Sequence, residues 1–246
     1  MSDNDETPQE GGKNSPSSHD TFAKFFYFGV GFTVPFIVGF ATYAFFPIIP
    51  PKLRWLPLLF IYWGTIWAYT LLFRRVRGGV FTGERFKPTL KLQGDRLWLQ
   101  YLLTYGPFLY AIPLFAINYA TQLSALMYVA LIAASVVNGP TEETFWRACM
   151  EDAGIKAGVS PKTRLIFTPI VFALWHTAFV ILLYPWDASW WVAWAGIVAM
   201  TWSSGICWQW VLQKSGRLVP QAFYHACANL LNIFPLIIVT VVQFHF

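Results

Sequence analysis

The sequence predicts an all-α fold, a polytopic membrane bundle of seven to eight transmembrane helices, and three observations carry that prediction. Of 246 residues, 56% are hydrophobic, 19% aromatic and only 12% charged, whereas a soluble domain carries about 25% charged residues. Apolar runs recur along the chain at roughly the 20-residue length that crosses a bilayer. The basic residues gather in the loops between those runs, where they set topology. The formal charge of +5 therefore does not point to nucleic acid. A positive mean hydropathy of +0.48 agrees, and the alternating ten-residue segments of a transmembrane barrel are missing.

Taken in order, residues 1–20 are polar, acidic and rich in Ser, Gly and Pro. They predict a disordered cytoplasmic tail and have the wrong flank for a cleaved signal peptide. Apolar segments follow at roughly 22–46, 55–73, 97–119, 122–138, 163–184, 188–212 and 218–231, with a short one near 233–246. They divide into N-terminal transmembrane helices over 21–121 and a second transmembrane domain over 122–246. The run from 122 is expected to break at Gly139-Pro140, because a mid-helix proline removes a backbone hydrogen bond and bends the chain. A helix carrying Glu142 and Glu143 is expected to follow.

Loop charges give the orientation. Segment 74–96 holds Arg74, Arg75, Arg77, Arg85, Lys87, Lys91 and Arg96 against Glu84 and Asp95, and is read as cytoplasmic. Lys156, Lys162 and Arg164 fall on the same side two crossings later, and Lys214 and Arg217 two after that. Lys52 and Arg54 lie on the other side, against the rule. Tyr184, Trp190 and Trp191 flank the far turn "YPWDAS" as an interfacial aromatic belt. No internal repeat is visible, which argues against a secondary transporter. Cys149, Cys207 and Cys227 have no CxxC spacing and read as buried, unpaired thiols.

Ionisable side chains at membrane depth are rare and face a bundle interior or cavity. Here they are Glu142, Glu143, Arg147, His176 and His225, joined by the amide of Asn229. Glu143 and Arg147 stand four apart, share a helix face and read as a structural ion pair. Glu142 projects about 100° away and has no cation four residues on. A carboxylate so placed clusters with working sites. Phe172 with His176, and His225 with Asn229, repeat the four-residue interval on two further helices, so three helices can each turn one polar edge to a common centre. Singly, His176 reads as a core histidine bonded to a carbonyl, and His225 with Asn229 as an inter-helix clasp. His19, His245 and Asp187 carry no such pattern, and Ser203 and Ser204 read as helix-packing residues. Together, a carboxylate, two imidazoles and an amide supply a general base and donors for a developing oxyanion. That set suits hydrolysis of a peptide bond in the membrane by activated water.

The same residues carry a resemblance. "EETFWR" (Glu142 to Arg147) matches EExxxR, "FALWH" (Phe172 to His176) matches FxxxH, and "HACAN" (His225 to Asn229) matches HxxxN. In this order they resemble the three motifs of the CPBP family, the CAAX prenyl proteases, bacteriocin-processing enzymes and abortive-infection proteins. The lead-in "KSGRLVPQAFYHACANLL" is similar to that family's approach to its third motif, and the resemblance covers roughly 122–232. It implies that Glu142 and His176 activate water, that His225 and Asn229 form the oxyanion site, and that Glu143, Arg147 and Phe172 support them. It makes 122–246 a catalytic, CPBP-like domain. Ala148 stands where many members have Gly, a departure that touches packing. Residues 1–121 match no motif.

The resemblance implies a substrate that is a membrane-associated protein or peptide, in some members lipid-modified. Members are described both as metalloproteases and as glutamate proteases. With no HExxH and with Asn an unusual zinc ligand, no metal or other cofactor is expected, though two imidazoles and a carboxylate leave a zinc-dependent variant open. A non-catalytic scaffold or immunity protein, or a proton-coupled transporter, are the rival classes. The expected location is a prokaryotic plasma membrane, N-terminus cytoplasmic, with cleavage near the cytoplasmic face.

Overall fold

The computed structural model describes residues 18–45, 48–50, 55–78, 83–178, 180 and 188–235. The readings of residues 1–17, Lys52, Arg54, Tyr184, Asp187 and His245, and of the His19 side chain, fall outside what is described. Among the described residues there are helices and no strand. Helix α1 (Ser18–Phe25) passes through a π-helical turn (Phe26–Val30) into α2 (Gly31–Phe45), followed by α3 (Trp55–Arg77), α4 (Leu97–Tyr105) and α5 (Phe108–Asn118). Helix α6 (Ala125–Glu142) runs into a second π-helical stretch (Glu143–Cys149) and α7 (Met150–Lys156). Then come α8 (Pro161–Trp175), α9 (Ala188–Ser215), α10 (Val219–Ala228) and a third π-helical turn (Asn229–Ile233).

Helix starts follow local chemistry. Ser124 caps α6 by accepting the Met127 N–H at 3.3 Å, and Ser160 caps α8 by accepting the Thr163 N–H at 3.2 Å with Pro161 at the first helical position. Among the described residues, three stretches are long and apolar enough to cross a membrane: Thr21–Ala41, Leu97–Asn118 and Ala125–Lys156. The expected number of seven or eight spans is not confirmed by these. The chain is an integral membrane protein: Phe36, Phe40, Leu109, Ile117, Leu126 and Val192 are large apolar side chains left exposed on the bundle's outside, an apolar surface too extensive for water.

The core is aromatic. Phe26, Tyr27, Tyr62, Phe73, Phe145, Trp146 and Trp175 are all essentially inaccessible. The basic loops meet at one end of the bundle. Lys156 donates to the Arg77 carbonyl (2.7 Å), Arg85 pairs with Asp152 (2.7 Å), and Gln213 donates to the Pro161 carbonyl (3.2 Å). Arg217 donates to Gln93 Oε1 (2.9 Å) and the Glu84 carbonyl (2.7 Å), while the Leu218 N–H donates to the Arg85 carbonyl (3.0 Å). Segment 84–94 thus straps the start of α10 to the α6–α7 helix. Gly94 permits the close contact: its φ is +92°, and a Cβ there would lie 2.5 Å from the Lys214 carbonyl oxygen.

The expected break at Gly139-Pro140 does not occur. Helix α6 runs straight through both residues. Just beyond, the backbone widens into the π-helical stretch from Glu143. Gly139 has a different task. A Cβ on it would sit 2.6 Å from the Ala226 nitrogen and 2.9 Å from the Ala222 carbonyl oxygen, so the backbones of α6 and α10 touch there. Gly139→Val is expected to lower stability by about 1–3 kcal/mol, the usual penalty of overpacking, read as a lower thermal midpoint in detergent. A midpoint unchanged from wild type would show that this approach is not tight.

Candidate active site

The close approach of α6 and α10 brings the first and third polar motifs together. Glu142 ends α6, Glu143 opens the π-helical stretch, and His225 lies on α10; all three are buried. His225 Nε2 is 3.0 Å from Glu142 Oε2, and its Nδ1 is 2.8 Å from Glu143 Oε1. One imidazole therefore bridges two sequence-adjacent carboxylates. With both glutamates ionised their oxygens only accept, so both ring nitrogens carry hydrogen and the ring is a cation. An α-helix would splay the two glutamates by about 100°. The wider π-helical turn reduces that angle and lets both reach one ring. Glu142 is thus paired, contrary to the reading from its own helix, because its cation comes from another helix.

Arg147 completes the charge set. Its Nε lies 3.7 Å from Glu143 Oε2, an ion pair longer than a hydrogen bond, as expected where residues four apart no longer stack in register. The guanidinium instead lies over the rings of Phe172 (4.6 Å) and Trp208 (5.7 Å), a desolvated cation–π contact. Its nitrogens have no hydrogen-bond partner among the described residues. Phe172 therefore bears on the site by supporting the arginine.

The second motif arrives on α8. His176 follows the last residue of that helix, and its Nδ1 donates to the Phe172 carbonyl at 3.0 Å, which leaves Nε2 as the acceptor nitrogen of the neutral ring. His176 stands within electrostatic reach of both Glu142 and His225 and packs edge-on against Phe172, ring centroids 4.9 Å apart. Both imidazoles, with Phe172, Trp208, Ser204 and Tyr224, line a cavity of about 270 Å³ between α5, α8, α9 and α10. Asn229 lies one turn beyond His225, with its Nδ2 buried and without a hydrogen-bond partner among the described residues; Glu142 Oε1 is in the same condition. A buried unpaired donor and a buried unpaired acceptor are costly.

Two residues were not found from the sequence. Tyr62, on α3, is fully buried; its hydroxyl faces Glu142 and accepts the Trp146 indole N–H at 2.7 Å. It sits among apolar neighbours with no motif to mark it. Ser204 was assigned to helix packing, yet it lines the cavity, while Ser203 donates to the Ala199 and Met200 carbonyls. The cysteines are free thiols as expected, but only Cys149 is buried. As for a metal, no group of three His, Cys, Asp or Glu side chains able to hold one converges among the described residues, and both nitrogens of His225 are committed to carboxylates.

Residues 124–231 match the family model described as type II CAAX prenyl endopeptidase Rce1-like. No curated protein and no solved structure matches the chain.

Removing one member of the charge set strands the others in an apolar core. Arg147→Ala is expected to destabilise the protein by about 3–5 kcal/mol, measured by thermal or denaturant unfolding in detergent. A shift below about 1 kcal/mol, the size of an exposed pair, would show that Arg147 does not balance Glu143.

Proposed function

We propose that this chain, whose residues 124–231 form a domain of the CPBP family of membrane proteases, is an intramembrane endopeptidase that works by glutamate-activated water. The observation that carries the reading is the meeting of Glu142, His176 and His225 from three separate helices, with both imidazoles lining one cavity; Asn229, buried one turn beyond His225, is assigned to the same centre.

In this reading Glu142 Oε1, the carboxylate oxygen with no hydrogen-bond partner among the described residues, takes a proton from a water that His176 holds through Nε2. The water oxygen attacks the scissile carbonyl carbon and the carbonyl π pair moves to oxygen. Asn229 Nδ2 donates to that oxyanion, and the His225 cation stabilises it electrostatically. Glu142 then hands its proton to the departing nitrogen, the C–N bond breaks, and a carboxylic acid and an amine leave. The resemblance implies a slightly different division of labour, with His225 a direct oxyanion donor. Its two bonds to carboxylates favour a role in fixing Glu142 as well. The cycle requires no metal and no covalent enzyme intermediate.

The substrate is a membrane-associated protein or peptide, including lipid-modified, CAAX-type chains. Helix α3 (23 residues) and helix α9 (28 residues) have spanning length and are read as further crossings. The basic end of the bundle is read as cytoplasmic. From that end the site is about 9 Å in along α10, counted from Val219, and about 21 Å in from Lys156 back through α7 and the π-helical stretch, at about 1.5 Å per residue. The short path along α10 supports cleavage close to the cytoplasmic face. A prokaryotic plasma membrane, with the N-terminus cytoplasmic, fits this arrangement.

Glu142→Gln is expected to abolish peptide-bond cleavage, with a fall of at least about 10³-fold, while leaving the folded protein intact by thermal unfolding. Full activity in that variant would remove the glutamate from the chemistry, and no activity in the wild-type protein on any membrane peptide would favour a scaffold. Activity is also expected to survive incubation with a strong zinc chelator. Loss on chelation and recovery with zinc would establish the zinc-dependent variant instead.

A further inference from the structure

Tyr62 belongs to no motif and lies outside the matched segment 124–231, yet it faces Glu142 directly and reaches His176 through Trp175. Its ring stacks on Trp175 with centroids 3.7 Å apart and planes 15° from parallel. Trp175 in turn lies 4.5 Å from the His176 ring. At the other end of the ring, the hydroxyl oxygen accepts the Trp146 indole N–H at 2.7 Å. An indole N–H can only donate, so that bond occupies the oxygen and leaves the phenolic proton to be placed elsewhere. The polar group it faces is the Glu142 carboxylate.

The rest of α3 supports the same contact. Trp63 Nε1 donates to Asn138 Oδ1 at 2.7 Å, and Trp67 Nε1 donates to Thr141 Oγ1 at 3.3 Å. Three side-chain hydrogen bonds thus tie α3 to the α6 helix at Asn138, Thr141 and Trp146, on both sides of Glu142 and Glu143. Two are aromatic N–H donors from α3, and the third runs back from α6 to α3. Side-chain hydrogen bonds between apolar helices fix rotation and depth as dispersion contacts cannot.

We propose that Tyr62 is a positioning residue for the catalytic base: with its oxygen held by Trp146, it directs its proton to the Glu142 carboxylate and, together with His225 on Oε2, fixes the plane of that carboxylate. The inference rests on the glutamate-water reading above. It implies that the N-terminal helices, which carry no family motif, supply a working part of the site. A carboxylate gripped by His225 alone turns about its Cγ–Cδ bond, and the remaining oxygen loses its alignment with the water. Misalignment of a bound reactant by about 1 Å costs on the order of 100-fold in rate.

The test uses the full chain in proteoliposomes with a cleavable membrane peptide. Tyr62→Phe keeps the ring on Trp175 and deletes only the hydroxyl. The expected result is a fall in kcat of about 10–100-fold, the value of a hydrogen bond to a charged group, with KM within about twofold of wild type. Because Tyr62→Phe also strands the Trp146 N–H, the double variant Tyr62→Phe/Trp146→Phe is measured beside it. A positioning role leaves kcat low in the double variant. Recovery of kcat there, or a wild-type kcat in Tyr62→Phe while Glu142→Gln is inactive, overturns the proposal and leaves the glutamate reading standing. An active Glu142→Gln overturns both.

Discussion

The structure turns on one electrostatic constraint: charge placed among lipid and aromatic rings must be balanced where it sits. Glu142, Glu143, Arg147 and His225 are all buried, and bringing any one of them alone into such a medium is prohibitive. As a set they carry two negative and two positive charges, joined by contacts of 3.0, 2.8 and 3.7 Å. The set closes only if α10 lies directly against α6, so the ion cluster and the helix packing are one condition. Gly139 makes it possible by letting the backbones meet, since a Cβ there would lie 2.6 Å from the Ala226 nitrogen.

Around that cluster the protein trades polar contacts for aromatic ones. Arg147 rests on Phe172 and Trp208 in place of hydrogen bonds. Trp175 separates Tyr62 from His176 as a stacked plate. Such a shell is stiff, because rings packed at this density have few rotamers open to them. Stiffness suits the Glu142 Oε1 and Asn229 Nδ2 atoms, which have no hydrogen-bond partner among the described residues to hold them in place.

The polar end of the bundle works as a brace. Arg85 joins Asp152 and the Ala148 carbonyl, and Arg217 joins Glu84 and Gln93, so segment 84–94 crosses from the glutamate helix to the start of the His225 helix. Glu84 itself, at the surface beside Lys87 and Arg217, is held below the ordinary carboxylate range chiefly by its hydrogen bond to Lys87. The brace's outer end, Glu84 with Lys87, is exposed and worth little in free energy, while Arg217 and the Arg85–Asp152 pair lie largely buried and register the helices. The charged core and the strap fix the same two helices from opposite ends.

Much of this was legible in the residues. Composition and loop charges determined an all-helical membrane protein, because a chain with so few polar groups must hide its backbone in helices. The motif spacing singled out Glu142, Glu143, Arg147, Phe172, His176, His225 and Asn229, because ionisable groups in an apolar run demand a reason. Three matters needed the tertiary structure. The pairing of Glu142 comes from His225 on another helix, and periodicity within one helix cannot see it. The π-helical widening after Pro140, where a break was expected, decides which way two neighbouring glutamates point; a sequence states that a proline disturbs the helix but not what form the backbone takes beyond it. Tyr62 is one tyrosine among many in an aromatic-rich chain, and only the docking of α3 makes it a neighbour of the carboxylate. The sequence alone determines which chemistries are present, since those are properties of residues. Which of them meet is a property of distances across helices, and only the packed fold sets those.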